Sequence, residues 1–140
     1  GRNLARFVTD FKRKSPSTKI RLIGHSLGAH VILSTIKNLA KNAKNVGILE
    51  AVYFFGASIP SDALSTRNGS AAQKIVATKI RNYYSQYDDV LRVADDWNWL
   101  VTPIGYSGAY GKTISKYSQT MVRPKNHRFV SYAAVLRSFP

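Results

Sequence analysis

The chain has 140 residues, 44% of them hydrophobic and 20% charged, which suits one domain with a hydrophobic core and excludes a disordered or collagen-like chain. It contains no cysteine, which rules out disulfide frameworks, thiolate nucleophiles and cysteine-ligated metals, and its three histidines argue against a histidine-rich metal centre. Lys and Arg number 21 against 7 Asp and Glu, and the net charge of +14 favours salt-sensitive contact with nucleic acid or an anionic membrane while saying nothing about fold.

Leu4, Phe7, Val8 and Phe11 recur at spacings of three and four, which predicts an amphipathic helix over 4–11 running out in Lys12, Arg13 and Lys14. Ser15-Pro16-Ser17 breaks it. The short run 20–23, with Leu22 and Ile23 carrying the apolar weight, is stopped by Gly24 and has the length of a strand. Leu27, Val31, Ile32, Ile36 and Leu39 then predict a helix over 27–39, with Lys37, Lys41 and Lys44 toward its negative end. Residues 48–55 form a nearly unbroken apolar run before Gly56, as a strand covered on both faces requires.

Residues 58–69 read as a loop, 71–77 as a helix and 80–84 as a third strand. The acids Asp88, Asp89, Asp95 and Asp96 cluster next. Residues 97–110 mix Trp97, Trp99, Tyr106 and Tyr110 with Pro103 and glycines, a loop or covering excursion. Residues 117–122 are a fourth strand candidate, and 129–136 a closing helix with Phe129, Ala133 and Leu136 on one stripe. Alternating strands and helices of this kind predict the α/β class: a mostly parallel sheet with helices on both faces, in a single domain over 1–140. The longest apolar run, 51–57, is far shorter than the roughly 20 residues that cross a bilayer.

The informative segment is Gly24-His25-Ser26-Leu27-Gly28, set between a predicted strand and a predicted helix. A serine in such a turn is exposed and strained, and the next backbone N–H, that of Leu27, faces the same point as the positive helix end. Both glycines are expected for steric reasons, because side chains two positions either side of the serine would collide with a neighbouring strand or helix.

This string resembles the nucleophile elbow of the α/β-hydrolase superfamily, and Gly-His-Ser-Leu-Gly-Ala-His is typical of its lipase-like members. The resemblance implies Ser26 as nucleophile and Leu27 N–H as an oxyanion-hole donor. It also implies an acid at Asp88, in Tyr83-Tyr-Ser-Gln-Tyr-Asp-Asp-Val-Leu91, and a base at His127, in Arg123-Pro-Lys-Asn-His127. The Tyr-Asp-Asp-Val-Leu run and the later Asn-His also resemble the lipase-related domain of transmembrane and coiled-coil hydrolase-like proteins. The likeness covers only the C-terminal half to two thirds of a usual hydrolase domain. A protein segment or subunit is therefore expected along the edge of the elbow strand, where an unpaired apolar strand is a liability.

Apart from the family, a serine hydroxyl becomes nucleophilic only when an imidazole takes its proton, and that imidazole needs a carboxylate to hold its tautomer. His25 and His30 share the serine's own element and are poorly aimed at it, which leaves His127 as the base. Asp89 competes with Asp88 for the acid, and Ser58 lies at a strand end on the same side as the elbow. The expected function is hydrolysis of a small-molecule carboxylic ester or a lipid through an acyl-enzyme, with the aromatics of 97–110 capping an acyl pocket and with no cofactor or metal. The alternative is an inactive basic scaffold or nucleic-acid-associated subunit, on the strength of the +14 charge and the interspersed tyrosines.

Overall fold

Four strands, β1 (Arg21–His25), β2 (Leu49–Phe55), β3 (Val76–Tyr84) and β4 (Tyr117–Met121), form an all-parallel sheet in the order β1-β2-β3-β4. The computed structural model describes residues 1–97 and 102–138, the side chains of 94–97 excepted. Trp99 lies outside the described residues, as do the side chains of Asp95, Asp96 and Trp97. Six α-helices among the described residues surround the sheet: α1 (Arg2–Lys14), α2 (Gly28–Leu39), α3 (Ser70–Ile75), α4 (Asp89–Trp97), α5 (Ile104–Ser107) and α6 (Phe129–Ala134). None is long and apolar enough to cross a membrane.

The α2 helix forms because Ala29, Ile32, Ile36 and Leu39 fall on one stripe, and all four are buried. They meet Val52 and Phe54 of β2 and Ile80 of β3 in the larger of two apolar clusters, with α1 contributing Ala5 and Val8 and α3 contributing Ala72 and Ile75. Each fully buried aliphatic side chain there is worth about 1.5–3 kcal/mol. After Ala40 the helix is closed by Asn45, whose side-chain amide donates to the Leu39 carbonyl at 3.0 Å. A tight turn held by the Asn42 side chain, which accepts the Lys44 N–H, then turns the chain toward β2.

The opposite face carries a smaller cluster of Ala51, Tyr53 and Phe55 from β2, Val122 after β4, and Tyr132 of α6. Beyond the reach of α6 this face opens to solvent, and Arg21, Ile23, Lys79 and Arg81 are exposed there. β1 is an outer strand of the described sheet, its free edge next to an Ile23 that is 42% exposed.

One expectation needs correction. Val76 and Ala77, read as the end of a helix, open β3, which begins four residues before the predicted strand. Alanine-rich local propensity loses here to pairing: Val76 sits in register with Leu49, and the Thr78 hydroxyl donates to the Glu50 carbonyl at the irregularity in β2. The acidic stretch 89–97 is a helix, α4, and within the excursion after it residues 104–107 form α5. That short helix is anchored by backbone bonds from Gly105 N–H to the Ala57 carbonyl and from Ser85 N–H to the Gly105 carbonyl, both 2.9 Å.

Candidate active site

β1 delivers the chain to Ser26 at the C-terminal end of the sheet, and α2 begins two residues later. Ser26 has φ +52°, the single non-glycine residue with positive φ among the described residues, a conformation costing about 1–3 kcal/mol that only surrounding bonds sustain. Those bonds are present. Its N–H donates to the Phe55 carbonyl, and its carbonyl accepts from the N–H groups of Ala29 and Ser58, each at 3.2 Å. A Cβ at Gly24 would lie 2.7 Å from the Ile32 side chain and 3.3 Å from the Ala29 backbone, so glycine lets α2 close on β1. The parallel expectation for Gly28 is wrong, because a Cβ there meets nothing within 4 Å.

His127, on the segment between β4 and α6, brings Nε2 to 2.8 Å from Ser26 Oγ, across 101 residues of sequence. Its Nδ1 lies 2.6 Å from Asp88 Oδ2. With the proton on Nδ1, the ring donates to Asp88 and accepts the Ser26 hydroxyl at Nε2. Asp88 is buried just ahead of α4, where its Oδ1 accepts the Leu91 N–H at 3.2 Å, as a helix-capping carboxylate does. Burial pushes the Asp88 carboxyl up, but the bonds from His127, Tyr132 and Leu91 prevail and hold it below the usual carboxylate value.

Asp89 points elsewhere, pairing with Arg92 on the surface at 3.5 Å. His30 places Nε2 3.1 Å from the Ser58 carbonyl. His25 lies against His127, ring centroids 4.8 Å apart and planes tilted by 39°, with Phe129 and Tyr132 edge-on to it at 6.1 Å. Its Nε2 is buried without a hydrogen-bond partner, and burial pushes its proton affinity down. Ser58 Oγ is likewise buried and unpartnered beneath the Ser26 turn. The Leu27 N–H has no acceptor among the described residues, and the Leu27 side chain is exposed.

Sequence reasoning missed Tyr132. Its hydroxyl donates to Asp88 Oδ2 at 2.5 Å, and its ring is fully buried. The signal was a tyrosine in the closing helix next to the stripe of Phe129, Ala133 and Leu136, since a buried tyrosine hydroxyl needs a partner. Tyr106 is half-buried and Tyr110 exposed, and a cavity of about 450 Å³ lined in part by His30, Lys37, Asp62 and Asn68 includes none of Ser26, Asp88 and His127. Among the described residues no group of three or more His, Cys, Asp or Glu side chains is placed to hold a metal ion.

Residues 1–95 match the family described as protein of unknown function, DUF726. The chain belongs to this family. The DUF726 match takes in Ser26 and Asp88 and stops short of His127. Among curated relatives, the transmembrane and coiled-coil domain-containing protein STS1 of Oryza sativa subsp. japonica is 38% identical over 74 residues, 53% of this chain and 11% of its own length. An uncharacterized membrane protein of Caenorhabditis elegans is 36% identical over 73 residues, 52% of this chain and 11% of its own. A 3-phosphoshikimate 1-carboxyvinyltransferase of Caldicellulosiruptor bescii is 27% identical over 106 residues, 74% of this chain and 24% of its own. The chain thus spans about a tenth of the first two relatives and a quarter of the third. No solved structure matches it.

Proposed function

We propose that this chain carries the reacting groups of a serine hydrolase of the α/β-hydrolase type, acting on a carboxylic ester or lipid. The observation behind this reading is the unbroken hydrogen-bonded path from Ser26 Oγ through His127 to the buried Asp88, built from three separate segments and ending on a serine with φ +52°. Such a path costs backbone strain at Ser26 and the burial of a carboxylate.

In this mechanism His127 Nε2 takes the Ser26 hydroxyl proton as Oγ bonds to the substrate carbonyl carbon, and the oxyanion accepts the Leu27 N–H. The His127 proton then passes to the leaving alkoxide, the carbon–oxygen bond breaks, and an acyl-Ser26 remains. Water, deprotonated by His127, attacks that acyl carbon. Ser26 leaves with the proton from His127, and a carboxylic acid is released. Asp88 holds the ring orientation and stabilises its cationic form throughout. The exposed apolar side chain of Leu27, next to Ser26 in the chain, favours an apolar acyl chain over a charged substrate.

The free edge of β1 is the place for a further strand, from a protein segment or a subunit, and the membrane-protein names of two relatives suit a lipid substrate or an anionic membrane surface. A fluorophosphonate probe applied to the full chain tests the reading. Labelling at Ser26 that Ser26→Ala abolishes is the expected result. Absence of labelling on folded protein favours instead the basic scaffold, or a nucleic-acid-associated subunit, that the +14 charge supports.

A further inference from the structure

Three donors converge on the Asp88 carboxylate, and two share one oxygen. Oδ1 accepts the Leu91 N–H at 3.2 Å, while Oδ2 accepts both the His127 Nδ1–H at 2.6 Å and the Tyr132 hydroxyl at 2.5 Å. Tyr132 does not reach Asp88 by accident of packing. Its ring is fully buried against Ala51, Tyr53 and Phe55, and it occupies the space that a side chain at residue 56 would need. A Cβ on Gly56, where φ is +49°, would lie 2.8 Å from the tyrosine oxygen and 2.9 Å from the ring carbon bearing it. The end of β2 is thus left without a side chain at the point where the phenol passes to the carboxylate.

We infer that Tyr132 is a positioning residue for the Asp88–His127 pair, its hydroxyl fixing the carboxylate and limiting how strongly Asp88 draws on the His127 ring. The inference rests on the reading of Ser26, His127 and Asp88 as the reacting groups. A donor on a carboxylate oxygen disperses its negative charge, so less of that charge acts on a second donor at the same atom. With the Leu91 N–H on the other oxygen, the carboxylate cannot turn about its bond to Cβ without losing one of its partners. Burial, and then Asp88 itself, push the Tyr132 phenol to higher pH, so it stays protonated and donating across the range in which a serine hydrolase works.

The groups facing His127 bound the expected pH behaviour. Asp88 lies on Nδ1, Ser26 on Nε2, and the His25 ring meets the His127 ring at a tilt from the end of β1. Tyr132 acts from α6 through Asp88. Lys125 and Arg128, on the His127 segment itself, are exposed, and Asp89 is engaged by Arg92 at the surface. Tyr132 is the one whose loss alters Asp88 without altering charge.

The test is Tyr132→Phe, which keeps the ring and removes the oxygen. Freed of the competing donor, Asp88 stabilises the imidazolium more, so the acidic limb of the fluorophosphonate labelling rate should move up by about 0.5–1 pH unit. The His127 ring titration, followed by NMR, should move up with it. The proton shared by His127 and Asp88 should shift further downfield. Placing a ring-fluorinated tyrosine at 132, a stronger donor of nearly the same shape, should move the titration the opposite way, and this arm stands even if the Phe variant does not fold. Titration in either variant unchanged from the parent would overturn the inference. The NMR titration does not need turnover, so a parent that resists labelling counts against the hydrolase reading alone, and an unmoved titration counts against Tyr132 alone.

Discussion

The two faces of the sheet are built from different materials. Under α2 the core is almost wholly aliphatic, with Ile32, Ile36, Leu39, Val52, Ile75 and Ile80 buried beside Phe54. The face under α6 is aromatic and polar-tipped, with Tyr53, Phe55, Tyr83 and Tyr132 leading to His25, His127 and Asp88 at the strand ends. Phe55 and Tyr83 stack at 4.8 Å, and Phe129 stands edge-on to Phe55 at 5.3 Å. Aliphatic side chains fill volume without fixing direction, whereas aromatic rings have few rotamers and edges that orient what they touch. The aliphatic face therefore supplies most of the buried volume, and the aromatic face carries the rings that meet the site.

That division can be broken from either side. The largest effect should come from Asp88→Asn, which keeps the side-chain shape but sets an NH2 group among the donors that now converge on Asp88. The turnover or labelling rate should fall by about 10⁴-fold, by analogy with the same change in a serine-protease triad, while the circular dichroism spectrum is unchanged. Asp89→Asn should change the rate little, since its partner is a surface arginine. Equal losses in the two variants would mean that Asp88 is not the group acting on His127. On the other face, Ile36→Ala should cost about 2–5 kcal/mol in denaturant unfolding yet leave the labelling rate of the folded fraction unaltered. A matching fall in that rate would show that the aliphatic face also holds the geometry of the site.

The elements that were legible in the sequence are those whose apolar spacing and breakers agree, such as α1 before Pro16, α2 between Gly28 and Asn42, and β2 before Gly56. At 76–79 spacing and pairing disagree, and only long-range register with Leu49 and Ala51 decides for a strand. Asp88 and His127 could be named from the resemblance to α/β-hydrolases, in which serine, acid and histidine follow a fixed chain order, although the residues alone left Asp89 as a rival acid. The structure then brings those side chains within hydrogen-bond reach of one another. Tyr132 could not be named that way. Its role depends on a glycine 76 positions earlier that leaves room for the phenol, a contact with no local signature.

The smallest effect separates the two neighbouring histidines by pH. Burial lowers the proton affinity of His25 below histidine's ordinary value of 6.5, and the charge of His127 acts in the same direction, against a backbone bond and Asp88, which raise it. Unfolded, His25 takes up a proton as pH falls through 6.5; folded, it resists until a lower pH. The stability that His25 contributes as a neutral ring is therefore present above 6.5 and is lost as pH drops through the interval down to its folded value. Asp88 does not confuse the measurement, because its lowered carboxyl withdraws stability only below the ordinary 3.8. Melting temperatures taken between about pH 7.5 and about pH 5 should slope downward in the parent chain and less so in His25→Leu, where no proton can bind at that position. Parallel slopes would mean that His25 takes up its proton as readily folded as unfolded. In that case the aromatic face would hold His127 through ring contact alone and not through the exclusion of water from its neighbour.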